Sequence, residues 1–253
     1  MSTCVPFLFL IMAVEKKYAV IVAGGSGSRA GGEVPKQFQL LRGIPVVWWS
    51  IKAFHDEDPK VKIRVVLHPG FFDLWDILRS DLPESLRHID VELVCGGRSR
   101  LESVANGIMG IEPGDDEEIL IAVHDAARPM VSRALISRGW ETARTNLAAI
   151  PVVPMTDSIR LLTQEGSVSL DRSKYVRVQT PQVFKAELLK RAYAEELLPE
   201  MTDDASVVEG YGVPVALFDG EERNIKITNP LDFKIAEILL DSYIVPKEAG
   251  NEE

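Results

Sequence analysis

A chain of 253 residues, 46% hydrophobic and 26% charged, is long enough to bury a full core as one large α/β domain or two small ones. Its formal net charge of −10 excludes a general polyanion binder, so neither nucleic acid nor an anionic membrane is an expected partner and any phosphate site must be local. Two cysteines, Cys4 and Cys95, cannot build a disulfide framework, which fits a reducing cytoplasm.

Residues 1–13, MSTCVPFLFLIMA, hold an apolar run without a basic leader. The run falls far short of the roughly 18 residues of a membrane span, and it reads as neither signal peptide nor anchor. Met12 stands just before the first strand, so an internal translation start is the bland explanation for this extension.

Tyr18-Ala-Val-Ile-Val-Ala23 has the length and β-branching of a strand buried on both faces, and it breaks into Gly24-Gly25-Ser26-Gly27-Ser28-Arg29. Glycines let backbone N–H groups converge on an anion, and Arg29 and Lys36 add two cations on a loop too rich in Gly and Pro to be helical. A dinucleotide fingerprint would need a helix opening inside the glycines and an acid closing the second strand; that strand, Lys62–Leu67, ends in His68-Pro69-Gly70. A P-loop would need Gly-Lys-Ser/Thr, which is absent. What remains is a loop that wraps a nucleoside triphosphate, or a plain glycine turn with surface charges.

Farther along, Leu40–Gly43 reads as a turn and Pro45 as the first position of a helix through Phe54, its tryptophans Trp48 and Trp49 in the core. A helix is expected over Phe71–Arg79 and a strand over Ile89–Val94, followed by Cys95 as a small buried thiol. Gly96-Gly97 and a helix from about Leu101 to Met109 form a second glycine turn, able to bind an anion or base edge, or simply capped by Ser99. Ile119–Val123 is a buried strand delivering His124-Asp125-Ala-Ala-Arg128-Pro129. Ligands of open parallel sheets sit beyond the carboxyl ends of strands, which puts Asp125 beside the first glycine loop. A carboxylate next to triphosphate calls for a divalent cation between them, and Asp125 is the expected Mg²⁺ ligand; the alternative is a turn-capping Asp paired with Arg128. His124 reads as structural, with no nucleophile elbow near it.

A helix over Arg133–Arg144 and a strand over Ala148–Val153 follow, and then two short strands around Glu165-Gly166. A lone hairpin is marginal in water, so residues 155–175 are expected to form an arm that packs on a second subunit. Val176–Phe184 reads as one strand turning at Pro181 into a helix over Lys185–Leu198. Thr202 reads as an N-cap, Pro214–Phe218 as the last core strand, and Lys226 as a lone cation before a closing helix, Leu231–Leu240. The expected architecture is a single α/β domain over residues 14–242 with an arm, between the doubtful extension 1–13 and a polar tail, 243–253.

Taken together, Ala23-Gly-Gly-x-Gly-x-Arg29, Pro35-Lys-Gln-Phe38, His124–Pro129, Pro154-x-x-Asp157-Ser158, Asp171-Arg172, Gln179-Thr-Pro-Gln182, Thr202–Ser206 and Asn224–Thr228 resemble, in the same order, the motifs of the 2-C-methyl-D-erythritol 4-phosphate cytidylyltransferase family. The likeness runs from Tyr18 to Leu240. It implies a Rossmann-like three-layer nucleotidyltransferase fold with a mostly parallel sheet and a protruding β-hairpin dimerisation arm. It also implies transfer of a cytidylyl group from CTP to methylerythritol phosphate by a cytoplasmic Mg²⁺-dependent homodimer, in the non-mevalonate route to isoprenoids. By the same resemblance Arg29 and Lys36 are catalytic, and Ala23, Gly24, Gly25, Gly27, Gly97 and Ser103 bind CTP. Asp157, Ser158, Arg172 and Lys226 hold the acceptor, Ser158 and Arg172 from the neighbouring subunit, and Asp125 takes the metal. Two positions depart from the family pattern: Ser158 stands where Thr is common, keeping the hydroxyl, and Arg98 where an acid is common. A ribitol-5-phosphate cytidylyltransferase would share the CTP machinery, and a non-catalytic nucleotide-binding regulator would share only the glycines.

Overall fold

The computed structural model describes residues 14–25, 34–112, 114 and 117–244. Gly27, Arg29, the extension 1–13 and residues 245–253 of the tail lie outside the described residues. Strand β1 (Val14–Val22) is followed by a small antiparallel ladder, β2 (Leu40–Leu41) and β3 (Ile44–Pro45), and by α1 (Val46–Glu57). Then come β4 (Lys62–Leu67), α2 (Phe72–Ser80), α3 (Glu84–Arg87), β5 (Val91–Cys95), α4 (Arg100–Ile108) and β6 (Glu117–Asp125). Next are α5 (Arg133–Asn146), β7 (Ala148–Pro154), β8 (Ile159–Thr163), β9 (Gly166–Leu170) and β10 (Val176–Val178). The chain closes with β11 (Gln182–Lys185), α6 (Ala186–Ala194), α7 (Asp204–Gly210), β12 (Ala216–Asp219) and α8 (Pro230–Ile244).

The main sheet runs β10-β7-β11-β6-β1-β4-β5, with β12 parallel to β7; β10 and β11 are its antiparallel members. Alternation along β1 builds the layers. Ala19 and Ile21 face one apolar cluster with Trp48, Phe54 and Trp140 of α1 and α5, while Val20 faces another with Val104, Leu189 and Val207 of α4, α6 and α7. From β1 the chain crosses to β4 on one side, and β6 pairs β1 on the other, so the order of connection reverses between β1 and β6. At that switch point Val22 and Asp125 are register partners. The strand ends therefore deliver the first glycine turn and Asp125 side by side, as expected for a crevice beyond the carboxyl edge of an open sheet.

Several local expectations are corrected. Residues 40–45 form a ladder closed by Arg42 (φ 53°) and Gly43 (φ 77°), the left-handed pair a two-residue hairpin turn needs. Pro45 is the N-cap of α1, not its first helical residue, because its ψ of 138° is extended. The run 176–184 is broken at Pro181, and Gln182–Lys185 pairs with both β6 and β7 inside the sheet, so the helix starts only at Ala186 and ends at Ala194. Asp203 replaces Thr202 as the cap of α7, in a reciprocal box with Ser206. Pro214 and Val215 precede β12 rather than belonging to it, and Ala216–Asp219 alternates between half-buried and exposed because successive side chains take opposite faces, Phe218 packing on the core beside Gly139 of α5. Cys95, at the carboxyl end of β5, is exposed.

The pair β8 and β9 is a separate two-stranded sheet with Leu161, Leu162 and Val168 exposed. Trp48 is fully buried and stacks on Trp75 with ring centroids 5.1 Å apart, while the half-buried Trp49 donates to Leu41 O at 3.1 Å. No helix among the described residues is long and apolar enough to cross a membrane.

Candidate active site

A cleft of about 700 Å³ opens at the β1/β6 switch point. Of the residues singled out in the sequence, Ala23, Gly24, Gly25, Lys36, Gly97, Ser103, Asp125 and Lys226 line it, together with Arg98 and Arg100. Asp157, Ser158 and Arg172 do not; they sit on or beside the exposed hairpin, where Arg172 donates to the Thr156 carbonyl.

Three loops from distant parts of the chain are tied together beneath the cleft. Ile227 N donates to Ala127 O at 2.8 Å, Lys36 Nζ donates to Ile227 O at 2.8 Å, and Lys226 Nζ lies 2.7 Å from Asp125 Oδ2. Ile227 itself is buried with Leu41, Val46, Met130 and residues of α8, which anchors the segment carrying Lys226. Both lysines are thus seated by the packing of their neighbours, which is how flexible cations become preorganised.

Asp125 is 8% exposed. Burial, the largest influence, pushes its carboxyl up, and Arg100 at 3.3 Å, Lys226 and Arg128 together overcome this and hold it well below the usual carboxylate range. The Arg128 pair that the sequence offered as an alternative is the longest of the three, at 3.9 Å. Arg100 spans two carboxylates, reaching Asp204 at 2.7 Å as well as Asp125. Asp204 is fully buried and also accepts from the Tyr193 hydroxyl at 2.5 Å. Burial and the Asp204 charge push that phenol up, so it serves as a donor.

Behind Asp125, His124 Nε2 lies 3.2 Å from Arg128 O and 3.3 Å from Ser50 Oγ, and Nδ1 lies 3.1 Å from the Thr180 hydroxyl, whose oxygen accepts from Asp125 N at 3.1 Å. His124 is fully buried, and burial lowers its pKa to about 4, which agrees with a neutral, structural ring. Asn224 Nδ2 donates to Thr180 O at 2.8 Å, and Gln182 bridges Asp203 and Ala205 N at 2.7 and 2.9 Å. The polar motifs at 179–182 and 202–206 are accordingly the frame of the site.

The second glycine turn is capped by Ser99, one of the two readings given to it. Ser99 caps α4 by accepting from Glu102 N, and Ser103 Oγ accepts from Gly97 N at 3.1 Å while donating to Ser99 O. A Cβ on Gly97 would fall 2.3 Å from Glu102 Cβ, so this position admits only glycine. Arg98, at the family departure, is among the cleft-lining residues, with an exposed side chain 3.6 Å from the Glu102 carboxylate. Sequence reasoning missed Arg100, Asp204 and Gln37; an Arg one residue beyond a helix cap and an acid inside a capping motif both look like ordinary helix-end charges.

Positioned charge at a sheet's switch point, with lysines brought in from two other loops, suits displacement at phosphorus, and the chain is an α/β nucleotidyltransferase. The family model for 2-C-methyl-D-erythritol 4-phosphate cytidylyltransferase (IspD) matches residues 18–242, and the chain belongs to that family. A relative of that name from Bacteroides fragilis is 44% identical over 222 residues, covering 88% of this chain and 98% of the relative. The crystal structure of the Thermus thermophilus cytidylyltransferase of the same name superposes with a TM-score of 0.67 at 32% identity, covering 90% of this chain and all of that one. The Francisella tularensis structure gives 0.70 at 28% identity, covering 88% and 99%.

Proposed function

We propose that the chain transfers a cytidylyl group from CTP to 2-C-methyl-D-erythritol 4-phosphate, giving 4-diphosphocytidyl-2-C-methyl-D-erythritol and pyrophosphate in isoprenoid precursor synthesis. The family membership supplies the substrates; the observation that carries the chemistry is the convergence of Lys36, Lys226 and Asp125 on one cleft. An oxygen of the acceptor phosphate attacks the α-phosphorus of CTP, the bond from that phosphorus to the bridging β-oxygen breaks, and pyrophosphate leaves. The protein supplies alignment and charge. Lys36, with Arg29 from the glycine loop, neutralises charge building on the triphosphate, each worth about 3 kcal/mol if aimed at the transition state. Ala23, Gly24, Gly25 and Gly27 on one side and Gly97 and Ser103 on the other seat the nucleotide.

Asp125 is the single carboxylate among the described residues that line the cleft, and no cluster of three metal-ligating side chains occurs among the described residues. That donor set fits Mg²⁺, which characteristically takes one or two carboxylates and fills its shell with phosphate oxygens and water. Bound there, Mg²⁺ would offset triphosphate charge.

Lys226 receives the acceptor phosphate. Asp157, Ser158 and Arg172 complete that pocket, Ser158 and Arg172 from the arm of a second copy, in a cytoplasmic homodimer. The exposed apolar residues of the arm, Leu161, Leu162 and Val168, support this reading. Pyrophosphate release with methylerythritol phosphate, run beside ribitol 5-phosphate, tests it: a preference for ribitol 5-phosphate would move the acceptor, and silence with both would refute the reaction.

A further inference from the structure

Gln37, in the motif after the first glycine turn, has no part in the chemistry above, yet it is 3% exposed at the edge of the cleft. Its Nε2 donates to Ala23 O at 2.7 Å and to Gly25 O at 3.0 Å. A primary amide nitrogen has two hydrogens, and here both go to one three-residue stretch of backbone. In a planar trans peptide the carbonyl and the following N–H are rigidly opposed, so holding the Ala23 and Gly25 carbonyls fixes the planes of both peptides and the direction of the Gly24 N–H. From the other side Ser103 closes on the turn: a Cβ on Gly24 would lie 3.2 Å from its Oγ. Gln37 also follows Lys36 directly in a short 3-10 turn, and Lys36 is itself anchored on Ile227 O. One turn of chain thus carries both the cation and the amide that grips the glycines.

We infer that Gln37 is a positioning residue that clamps the Ala23–Gly25 turn in its nucleotide-receiving shape and locks that turn to Lys36; this rests on the CTP site proposed above. Loss of one buried and one partly buried hydrogen bond is expected to weaken whatever the turn binds by about tenfold or more. The test is CTP affinity by titration calorimetry with Mg²⁺, together with steady-state constants, for the parent, Gln37→Met and Gln37→Glu. Methionine keeps the length and volume without the donors; glutamate keeps the shape but sets a carboxylate against two carbonyl oxygens.

The clamp predicts CTP binding weaker by about tenfold or more in both variants, with the acceptor KM within about threefold of the parent. It also predicts that the glutamate variant regains affinity relative to the parent as pH falls toward 5, because a protonated carboxyl donates once more, whereas the methionine variant does not. A residue that merely supports the fold would lower the melting temperature and leave these constants and their pH dependence unchanged. Folded variants that bind CTP within about twofold of the parent overturn the clamp alone. A parent that does not bind CTP overturns the functional reading and the clamp with it.

Discussion

Lys226 Nζ donates to Asp125 Oδ2 at 2.7 Å, joining the segment before the last helix to the end of β6. The pair compensates a lysine that is 41% exposed at its side chain and a carboxylate that is 12% exposed, so the cation faces outward from a buried anchor. Lys226→Gln is expected to raise the acceptor KM by about tenfold or more while CTP affinity changes by less than about threefold, read by calorimetry and steady-state kinetics. A larger loss on the CTP side would place Lys226 on the triphosphate instead.

Lys36 is assigned to charge that grows in the transition state. Lys36→Ala should therefore lower kcat by about a hundredfold and leave the dissociation constant of CTP within a fewfold of the parent. Arg29→Ala is expected to behave in the same way. Equal losses in binding, with kcat untouched, would make both residues simple ground-state contacts.

Asp157, Ser158 and Arg172 are absent from the cleft lining of a single chain, which gives the arm a test of its own. Lys36→Ala and Arg172→Ala chains, each nearly inactive alone, should regain activity when mixed and allowed to exchange subunits. A mixed dimer holds one intact site, so random exchange gives roughly a quarter of the parent activity. Mixtures no more active than their components, or a clean monomer at micromolar concentration, would remove the arm from the reaction.

His124 makes stability depend on pH. Its pKa is about 4 in the folded chain, against about 6.5 when unfolded, because burial disfavours the charged ring. The unfolded chain thus binds the extra proton between these values, so this contribution is fully present above about pH 6.5 and is lost as pH falls toward 4. The shift corresponds to roughly 3 kcal/mol. Urea unfolding from pH 7 to 4.5 should show the loss, and His124→Gln should flatten it; a parallel slope in both proteins would assign the effect elsewhere.

The order of buried strands and the glycine turn at Gly96-Gly97 were legible because strand length, β-branching and Gly punctuation are local signals, and the place of Asp125 beside Gly24 and Gly25 followed from one rule about sheet edges. The framing contacts were not. Arg100 with Asp204, Gln37 with Ala23 and Gly25, and Lys36 with Ile227 each join residues that only the folded sheet brings together. The broken run at Pro181 was hidden for a related reason. Val176–Val178 and Gln182–Lys185 both look like strand, but only the neighbouring β7 and β6 show that they occupy different places in the sheet.

The most direct test of the central claim is ³¹P NMR of the purified chain with CTP, Mg²⁺ and 2-C-methyl-D-erythritol 4-phosphate. The account predicts loss of the acceptor's phosphomonoester signal, appearance of a coupled pair of pyrophosphate-diester signals, and release of inorganic pyrophosphate in equal amount. An unchanged phosphomonoester, or CTP hydrolysed to CMP and pyrophosphate with the acceptor intact, would contradict it.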